Sequence, residues 1–196
     1  MAEESIIADP GTIRALLDGS RTQSRHLATS RLAACRAGDR LWVRESCVLG
    51  RIPPGRTQEM ATAMRHAEFA VFSDGWRHHR NGGGWKGDPP IGKALEWTPA
   101  VHMPRWASRA TLAIDSVAIE RLHGITRAGI RAEGLQPLLG GMLWRWPKPV
   151  PGLWRDPARA YAARWNIDRA AGERWDDDPE IVVLGFRVKR HAPNTG

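Results

Sequence analysis

The sequence predicts an α+β fold: a small β-barrel with short peripheral helices and loop-rich insertions. Three observations point there. Strand-like runs outnumber helical ones, in the order strand, helix, strands, helix, helix, strand. The helical stretches are short, and Pro- and Gly-rich segments interrupt the chain at about 50–100 and 135–157. The strongest strand pattern, Ile181 to Val188, closes the fold. With 196 residues, 42% of them apolar, and no internal repeat, the chain reads as one domain over 1–196 carrying two insertions.

The elements follow in order. Ile6 and Ile7 mark a first strand over 4–8. Asp9-Pro10 is a helix start, with the carboxylate as cap and the proline in the first turn. Ile13, Leu16 and Leu17 make a two-turn apolar stripe, and Gly19 suits a left-handed cap. After the turn at Gly38-Asp39, residues 40–48 read as a strand with Leu41, Val43 and Cys47 inward and Trp42 and Arg44 outward. Residues 50–67, with Pro53-Pro54-Gly55, have no clear period. Glu68 to Ser73 is a strand with Phe69 and Val71 on one face, closed by the Asp74-Gly75 hairpin signal. Residues 77–100 read as loop. The alternation over 109–121 predicts a strand whose parity slips between Ile114 and Val117, a slip that a bulge near Asp115-Ser116 repairs. Ile125 to Gly134 is a short helix with Thr126 as N-cap and Gly134 past its end; Gly129 weakens it. Ala158 to Ile167 is a second helix, with Tyr161 and Trp165 one turn apart. Asp176 to Pro179 is a turn, and the tail from Lys189 frays.

Charge and composition narrow the function. Twenty-nine Lys+Arg against 21 Asp+Glu leave a formal net charge of +8. The surplus favours an anionic partner, nucleic acid above all; solubility alone is the plainer explanation. The cations are overwhelmingly arginine, the residue of planar, bidentate phosphate contacts and of stacking on aromatic faces. Ten tryptophans stand beside one tyrosine, and Trp next to Arg suits base stacking as well as core filling. Cys35 and Cys47 make neither a metal motif nor a disulfide scaffold, so free thiols in the cytoplasm are expected. No apolar run approaches the ~18 residues of a membrane span, and the acidic start Met1-Ala2-Glu3-Glu4 lacks a signal peptide's basic end. His78-His79 with Cys47 or His102 matches no standard zinc spacing. Gly82-Gly83-Gly84 is no phosphate loop, because no Gly-Lys-Ser/Thr follows. No metal and no cofactor is expected.

The most informative stretch is Leu16-Leu17-Asp18-Gly19-Ser20-Arg21-Thr22-Gln23-Ser24-Arg25. A helix ends at glycine and a polar strand begins at once. Arg21, Thr22, Ser24 and Arg25 are thereby set at a helix-to-strand corner suited to gripping a phosphate or the polar edge of a base.

That corner, with Ala37-Gly38-Asp39-Arg40-Leu41-Trp42-Val43-Arg44-Glu45, the segment from Ile119 to Gly134 and the closing strand 182–188, resembles the ASCH domains of the PUA-like superfamily. With His102 to Arg109 between them, the chain looks like the longer ASCH-like proteins of phages and prophages. The resemblance implies a PUA-like β-barrel with helices around one cleft, and RNA-related work. Some family members hydrolyse the acetyl amide of N4-acetylcytidine, at least one is a ribonuclease, and related domains bind RNA or modified bases without chemistry. The family's catalytic lysine, threonine and glutamate correspond to Arg21, Ser24 and Glu133 here. Ser24 keeps a hydroxyl and Glu133 a carboxylate. Arg21 breaks the pattern, because a guanidinium stays protonated and cannot accept a proton; it can orient a substrate or stabilise an oxyanion.

The expectation is a cytoplasmic RNA- or nucleotide-binding module. Its contacts are Arg21, Thr22, Arg25, Arg44, Arg105, Trp106 and Arg109, and its candidate catalytic set is Ser24, Glu133 and Arg21. One alternative is hydrolysis of a modified nucleoside or of RNA. Another is a phage accessory protein docking through the tryptophan-rich segment 140–155. Plainer roles stand beside each assignment: Ser24 as an ordinary strand hydroxyl, Glu133 as a helix-surface charge paired with Arg127 or Arg131, Arg21, Arg25, Arg44 and Arg109 as exposed strand decoration with salt bridges to Glu45 and Asp115, and Trp144 and Trp146 as anchors of an insertion onto the barrel.

Overall fold

Proline and glycine set the first corner of the chain. Pro10 opens helix α1 (Pro10–Leu17), which buries Gly11, Ile13, Ala15 and Leu16. Gly19 then takes φ +80°, a conformation open to glycine because it has no Cβ. The computed structural model describes residues 4–50, 67–90, 96–147 and 152–191. The chain is mixed α+β. Its strands are β1 (Glu4–Ile7), β2 (Gln23–Leu27), β3 (Arg40–Arg44), β4 (Cys47–Gly50), β5 (Phe69–Phe72), β6 (Trp76–His79), β7 (Gly84–Lys86), β8 (Ala110–Arg121), β9 (Gln136–Leu138), β10 (Leu143–Arg145) and β11 (Glu180–Arg190). Its other α-helices, among the described residues, are α2 (Arg127–Ala132) and α3 (Pro157–Trp165). Five strands form a sheet in the order β1-β3-β8-β11-β2, four form β4-β5-β6-β7, and β9 and β10 pair as a hairpin.

The chain divides into two compact units. Among the described residues, unit 1 holds those within 10–41 and 112–188, and unit 2 those within 4–9, 42–111 and 189–191.

Unit 1 has an aromatic core. Leu122, Ile130, Leu135, Trp144, Trp146, Ala160, Tyr161, Trp165, Ile181 and Val183 are buried together. Tyr161 lies 6.0 Å from Trp146, 6.3 Å from Trp165 and 6.0 Å from Trp175, ring centre to ring centre. The indole N–H groups of Trp146 and Trp165 donate to the carbonyls of Ala160 and Glu173, both at 2.8 Å. A buried indole costs little once its one donor is satisfied. This corrects the loop-rich reading of 135–157. The β9–β10 hairpin runs through that segment, and Trp144 pairs in turn with Trp154. Trp144 and Trp146 are 3% and 5% exposed, which withdraws both from any docking surface.

Unit 2 is built on its four-stranded sheet. Cys47, Ala70, Phe72, Met103 and Ala107 form its buried cluster, with Leu49, Trp76 and Trp106 packed against them. The stretch 77–100, expected as loop, contains most of β6 and all of β7. Asp74-Gly75 is the turn that begins them, with Gly75 at φ +85°. Polar Arg77 and His79 hid the strand, because they alternate with Trp76 and His78 in a short element next to three glycines. On β5, Ala70, Val71 and Phe72 are all buried, whereas Phe69 is half-buried.

Other expectations meet finer geometry. Leu41, Val43 and Cys47 do point inward, but the run 40–48 breaks into β3 and β4 at Glu45-Ser46, where the buried Glu45 backbone N–H meets the Met103 sulfur at 3.2 Å. Strand β8 runs continuously from Ala110 to Arg121; burial ends after Ile114, and Ile119 is 52% exposed. Strand β11 continues to Arg190, so Lys189 is paired chain and not a frayed end. Expectations over 51–66, including Pro53-Pro54-Gly55, lie outside the described residues. Among the described residues no helix is long and apolar enough to cross a membrane.

Candidate functional site

Unit 1 brings the helix-to-strand corner and helix α2 together. Thr126 caps α2, its hydroxyl accepting the Gly129 N–H at 3.0 Å. The helix ends at Glu133 and turns through Gly134 at φ +99°. At that end the Thr22 N–H donates to the Ala132 carbonyl at 2.8 Å, and the Arg21 N–H to the Ala15 carbonyl of α1 at 2.9 Å. Strand β2 is held on its other side by β11, with Ser24 opposite Leu184 and Arg25 opposite Val183. These main-chain ties set Glu133 beside Arg21 and Arg25, more than a hundred residues away in sequence.

Glu133 sits between two guanidiniums. Arg21 Nη2 donates to its Oε2 at 3.0 Å, and Arg25 Nη1 to its Oε1 at 3.2 Å. The side chains of Arg25 and Glu133 are 4% and 3% exposed; that of Arg21 is 16% exposed and forms the open edge of the cluster. Burial pushes the Glu133 carboxyl up, against the pull of Arg21 and Arg25. Gly129 leaves the space that Arg25 needs: a Cβ there would lie 2.8 Å from Arg25 Nη2. The glycine that weakens the helix in the sequence thus admits the guanidinium. Arg25 Nε is buried without a hydrogen-bond partner.

Arg21 reaches further. Its Nη2 also donates to Ser24 Oγ at 3.3 Å, its Nε to the Gln23 carbonyl at 3.3 Å, and its Nη1 to Thr12 Oγ1 at 3.4 Å. Guanidinium, hydroxyl and carboxylate therefore share one cluster. Thr22 is exposed on the adjoining backbone.

One member of the cluster is absent from the sequence reading. Ser24 Oγ lies 2.7 Å from His26 Nε2. Arginine can only donate, so the hydroxyl accepts from Arg21; the direction of the bond to the imidazole follows the tautomer, Ser24 Oγ donating where Nε2 is bare and accepting where Nε2 carries the proton. The signal was available: residues two apart on a strand share a face. Burial first, and then the positive charges of Arg21 and Arg169, lower the His26 pKa from 6.5 to about 4. The imidazole is neutral at neutral pH. The shift has a consequence for stability. Above pH 6.5 the ring is neutral whether the chain is folded or unfolded. As pH falls from 6.5 toward about 4, only the unfolded chain takes up the proton, so stability drops, and it levels off below that range. With the ring partly solvated, we expect this group to remove about 1–2 kcal/mol. Urea denaturation across this range should give a smaller loss for His26→Gln than for the wild type.

The remaining sequence candidates belong to unit 2 and are engaged there. Arg109 is 5% exposed. Its Nε and Nη2 grip Glu45 at 2.7 and 2.8 Å, its Nη1 reaches Asp74 at 2.8 Å, and its guanidinium lies 4.4 Å from the Phe72 ring centre. It is a structural cation and not a cleft residue, which corrects the expected contact. An exposed salt bridge to Glu45 was one plain reading for the strand arginines as a group; the bridge that forms is buried and made by Arg109, and Asp115 pairs with Arg187. Arg44 and Arg105 lie 4.9 and 5.3 Å from the Trp42 ring centre, and Arg44 also donates to the Val101 carbonyl. Trp106 stacks on His78 at 6.5 Å and packs on the unit 2 core. Arg44, Arg105, Trp106 and Arg109 thus sit in a different unit from Arg21, Thr22, Ser24, Arg25 and Glu133.

Both cysteines are buried and outside any disulfide, and burial followed by the Glu45 charge pushes Cys47 up to about 12, far from a thiolate at neutral pH. Among the described residues no group of three or more His, Cys, Asp or Glu is placed to hold a metal ion. No protein-family model, no curated protein and no solved structure matches this chain.

Proposed function

We propose that the chain is a PUA-like, ASCH-type module that binds RNA, or a nucleotide from it, at the Arg21–Ser24–Arg25–Glu133 cluster of unit 1. The observation that carries the reading is the position of Arg21. It bridges Glu133 and Ser24, yet its side chain remains the most exposed of the cluster's charged groups. A guanidinium beside a carboxylate presents donors and acceptors side by side, the set that recognises the edge of an unpaired base. A phosphate can take the outer hydrogens of Arg21 without stripping Arg25 from Glu133. The net charge of +8 draws an anion toward the chain. The corner motif and its ASCH resemblance point to the same ligand class. Free thiols fit a reducing, cytoplasmic setting.

Fluorescence anisotropy with a labelled single-stranded RNA tests this. Binding should weaken steeply as salt rises, because each phosphate contact releases counterions. Arg21→Ala should weaken it about 10-fold at fixed salt. Undetectable binding at low salt, or an unchanged affinity in Arg21→Ala, would refute the reading.

A further inference from the structure

The structure assigns Arg169 to the same site as Arg21, and the two guanidiniums to a phosphate monoester, carried by a mononucleotide or by the phosphorylated end of an RNA strand. The nucleotide-binding reading supplies the carrier; the phosphate site stands on the arginines. Arg169 lies in none of the motifs that carry the ASCH resemblance. Its backbone is fixed by the turn after α3. Asn166 closes that helix, and the chain passes through Asp168 at φ +60°, a left-handed conformation that aspartate tolerates better than most residues. The turn folds the Arg169 guanidinium back over Trp165, 4.4 Å from the ring centre. The Arg169 N–H donates to the Asn166 carbonyl at 3.4 Å, and Arg174 Nε donates to the Arg169 carbonyl at 3.4 Å. Trp165 is itself held by Glu173 and by its stack on Tyr161. The guanidinium is thus positioned but unengaged. Among the described residues it makes no hydrogen bond and no ion pair, and its ring contact is the face of Trp165. Its donors are open to a ligand.

Helix α3 packs on α2, whose end carries Glu133, so the turn that holds Arg169 belongs to the wall of the cluster. Two rings report the same neighbourhood. Burial first, and then Arg21 and Arg169, disfavour the charged form of His26. Burial and the Glu133 charge push the Tyr161 hydroxyl up, while Arg25, Arg21 and Arg169 pull against them. A charge acts less with distance, so Arg21 and Arg169 stand near one pair of rings. Charge then selects the ligand. Arg21 and Arg25 share the one carboxylate of Glu133, and Arg169 adds a third guanidinium. Three guanidiniums against one carboxylate leave a surplus of two positive charges. A phosphodiester link brings one negative charge; a monoester brings about −1.5 to −2 at neutral pH. The monoester matches the surplus, and guanidinium donors match its oxygens. Arg21 is 16% exposed and Arg169 is half-buried, so the ligand meets both from solvent.

Two titrations of the full chain test this. Inorganic phosphate, followed by nuclear magnetic resonance, should move the Nε–H resonances of Arg169 and Arg21 and the indole N–H of Trp165 in a saturable way. Resonances that stay fixed overturn the assignment. The second titration compares each nucleoside 5′-monophosphate with its nucleoside, and one single-stranded RNA with a 5′-phosphate, with a 3′-phosphate, or with hydroxyls at both ends. A phosphorylated form should bind about 10-fold more tightly than its unphosphorylated counterpart, the worth of one charge-assisted contact. An advantage seen with RNA places the end of a strand in the site; one confined to the mononucleotides places the free nucleotide there. Arg169→Gln, its fold verified by circular dichroism, should erase the advantage. Nucleic acid that binds with no such advantage, or an advantage that survives in folded Arg169→Gln, overturns the assignment. The two ideas fail separately. RNA held equally well with or without an end phosphate keeps the binding reading and sinks this one. Inorganic phosphate held at Arg169 by a chain that ignores RNA and nucleotides leaves the phosphate site and sinks the binding reading.

Discussion

Replacing Arg109 by methionine should destabilise the protein by about 3–5 kcal/mol, the largest single loss we expect in unit 2. Arg109 holds Glu45 with two donors at 2.7 and 2.8 Å and Asp74 with a third at 2.8 Å. Glu45 is 3% exposed, so its carboxylate has no water to return to. Burial already pushes the Glu45 carboxyl up against the pull of Arg109. Without the guanidinium, that carboxylate is buried and unpaired, next to the second negative charge of Asp74. Asp74 itself fares better: its side chain is 32% exposed, and it accepts the Trp76 N–H at 3.1 Å. The cost therefore falls on Glu45. Pairing Arg109→Met with Glu45→Leu should recover most of the loss, because a well-packed apolar pair replaces a buried ion pair at little net cost. Urea denaturation of both single variants and the double variant measures the coupling. Additive losses would contradict the network.

Glu133→Ala should have a comparable effect in unit 1, again about 3–5 kcal/mol. Here the stranded charges are positive. Arg25 is 4% exposed and would keep a hydrogen bond to Gln23 Oε1 at 3.4 Å. Its Nε has no partner even in the intact cluster, so the carboxylate is what makes its burial tolerable. Arg21 suffers less, since its exposed edge can hydrate and its bonds to Gln23, Thr12 and Ser24 persist. Glu133→Gln should fall between wild type and alanine, because an amide oxygen still accepts from one guanidinium but carries no charge. Equal stability of all three proteins in chemical denaturation would mean that the cluster is not held by charge pairing.

What could be read from the sequence depended on how local the cause was. The α1–β2 corner was legible because proline and a left-handed glycine fix backbone directly at Pro10 and Gly19. The α2 helix was legible through Thr126 and Gly134 for the same reason. Partners far apart were not. Nothing near Arg109 says that its acceptors are Glu45 and Asp74, 64 and 35 residues away. A strand arginine destined for burial has the same local sequence as one that faces solvent. Glu133 entered the candidate site through the ASCH resemblance, because its own helix end looks like any surface turn. His26 was missed although Ser24-Arg25-His26 places the two groups on one face of β2; a hydroxyl and an imidazole two apart are common on strands, and only the 2.7 Å contact singles them out. The β9–β10 segment was misjudged because its prolines and glycines suggest loop, while its tryptophans supply the core of unit 1.

The most direct measurement is nuclear magnetic resonance of the labelled full chain, titrated in turn with each nucleoside 5′-monophosphate. The expected result is saturable movement of the Arg21 Nε–H, the His26 ring and the backbone amides of Thr22 to Arg25, with at least one of the nucleotides. Resonances that stay fixed throughout, or that move only at Arg44, Arg105 and Trp42 in unit 2, would contradict a nucleotide site at the Arg21–Ser24–Glu133 cluster.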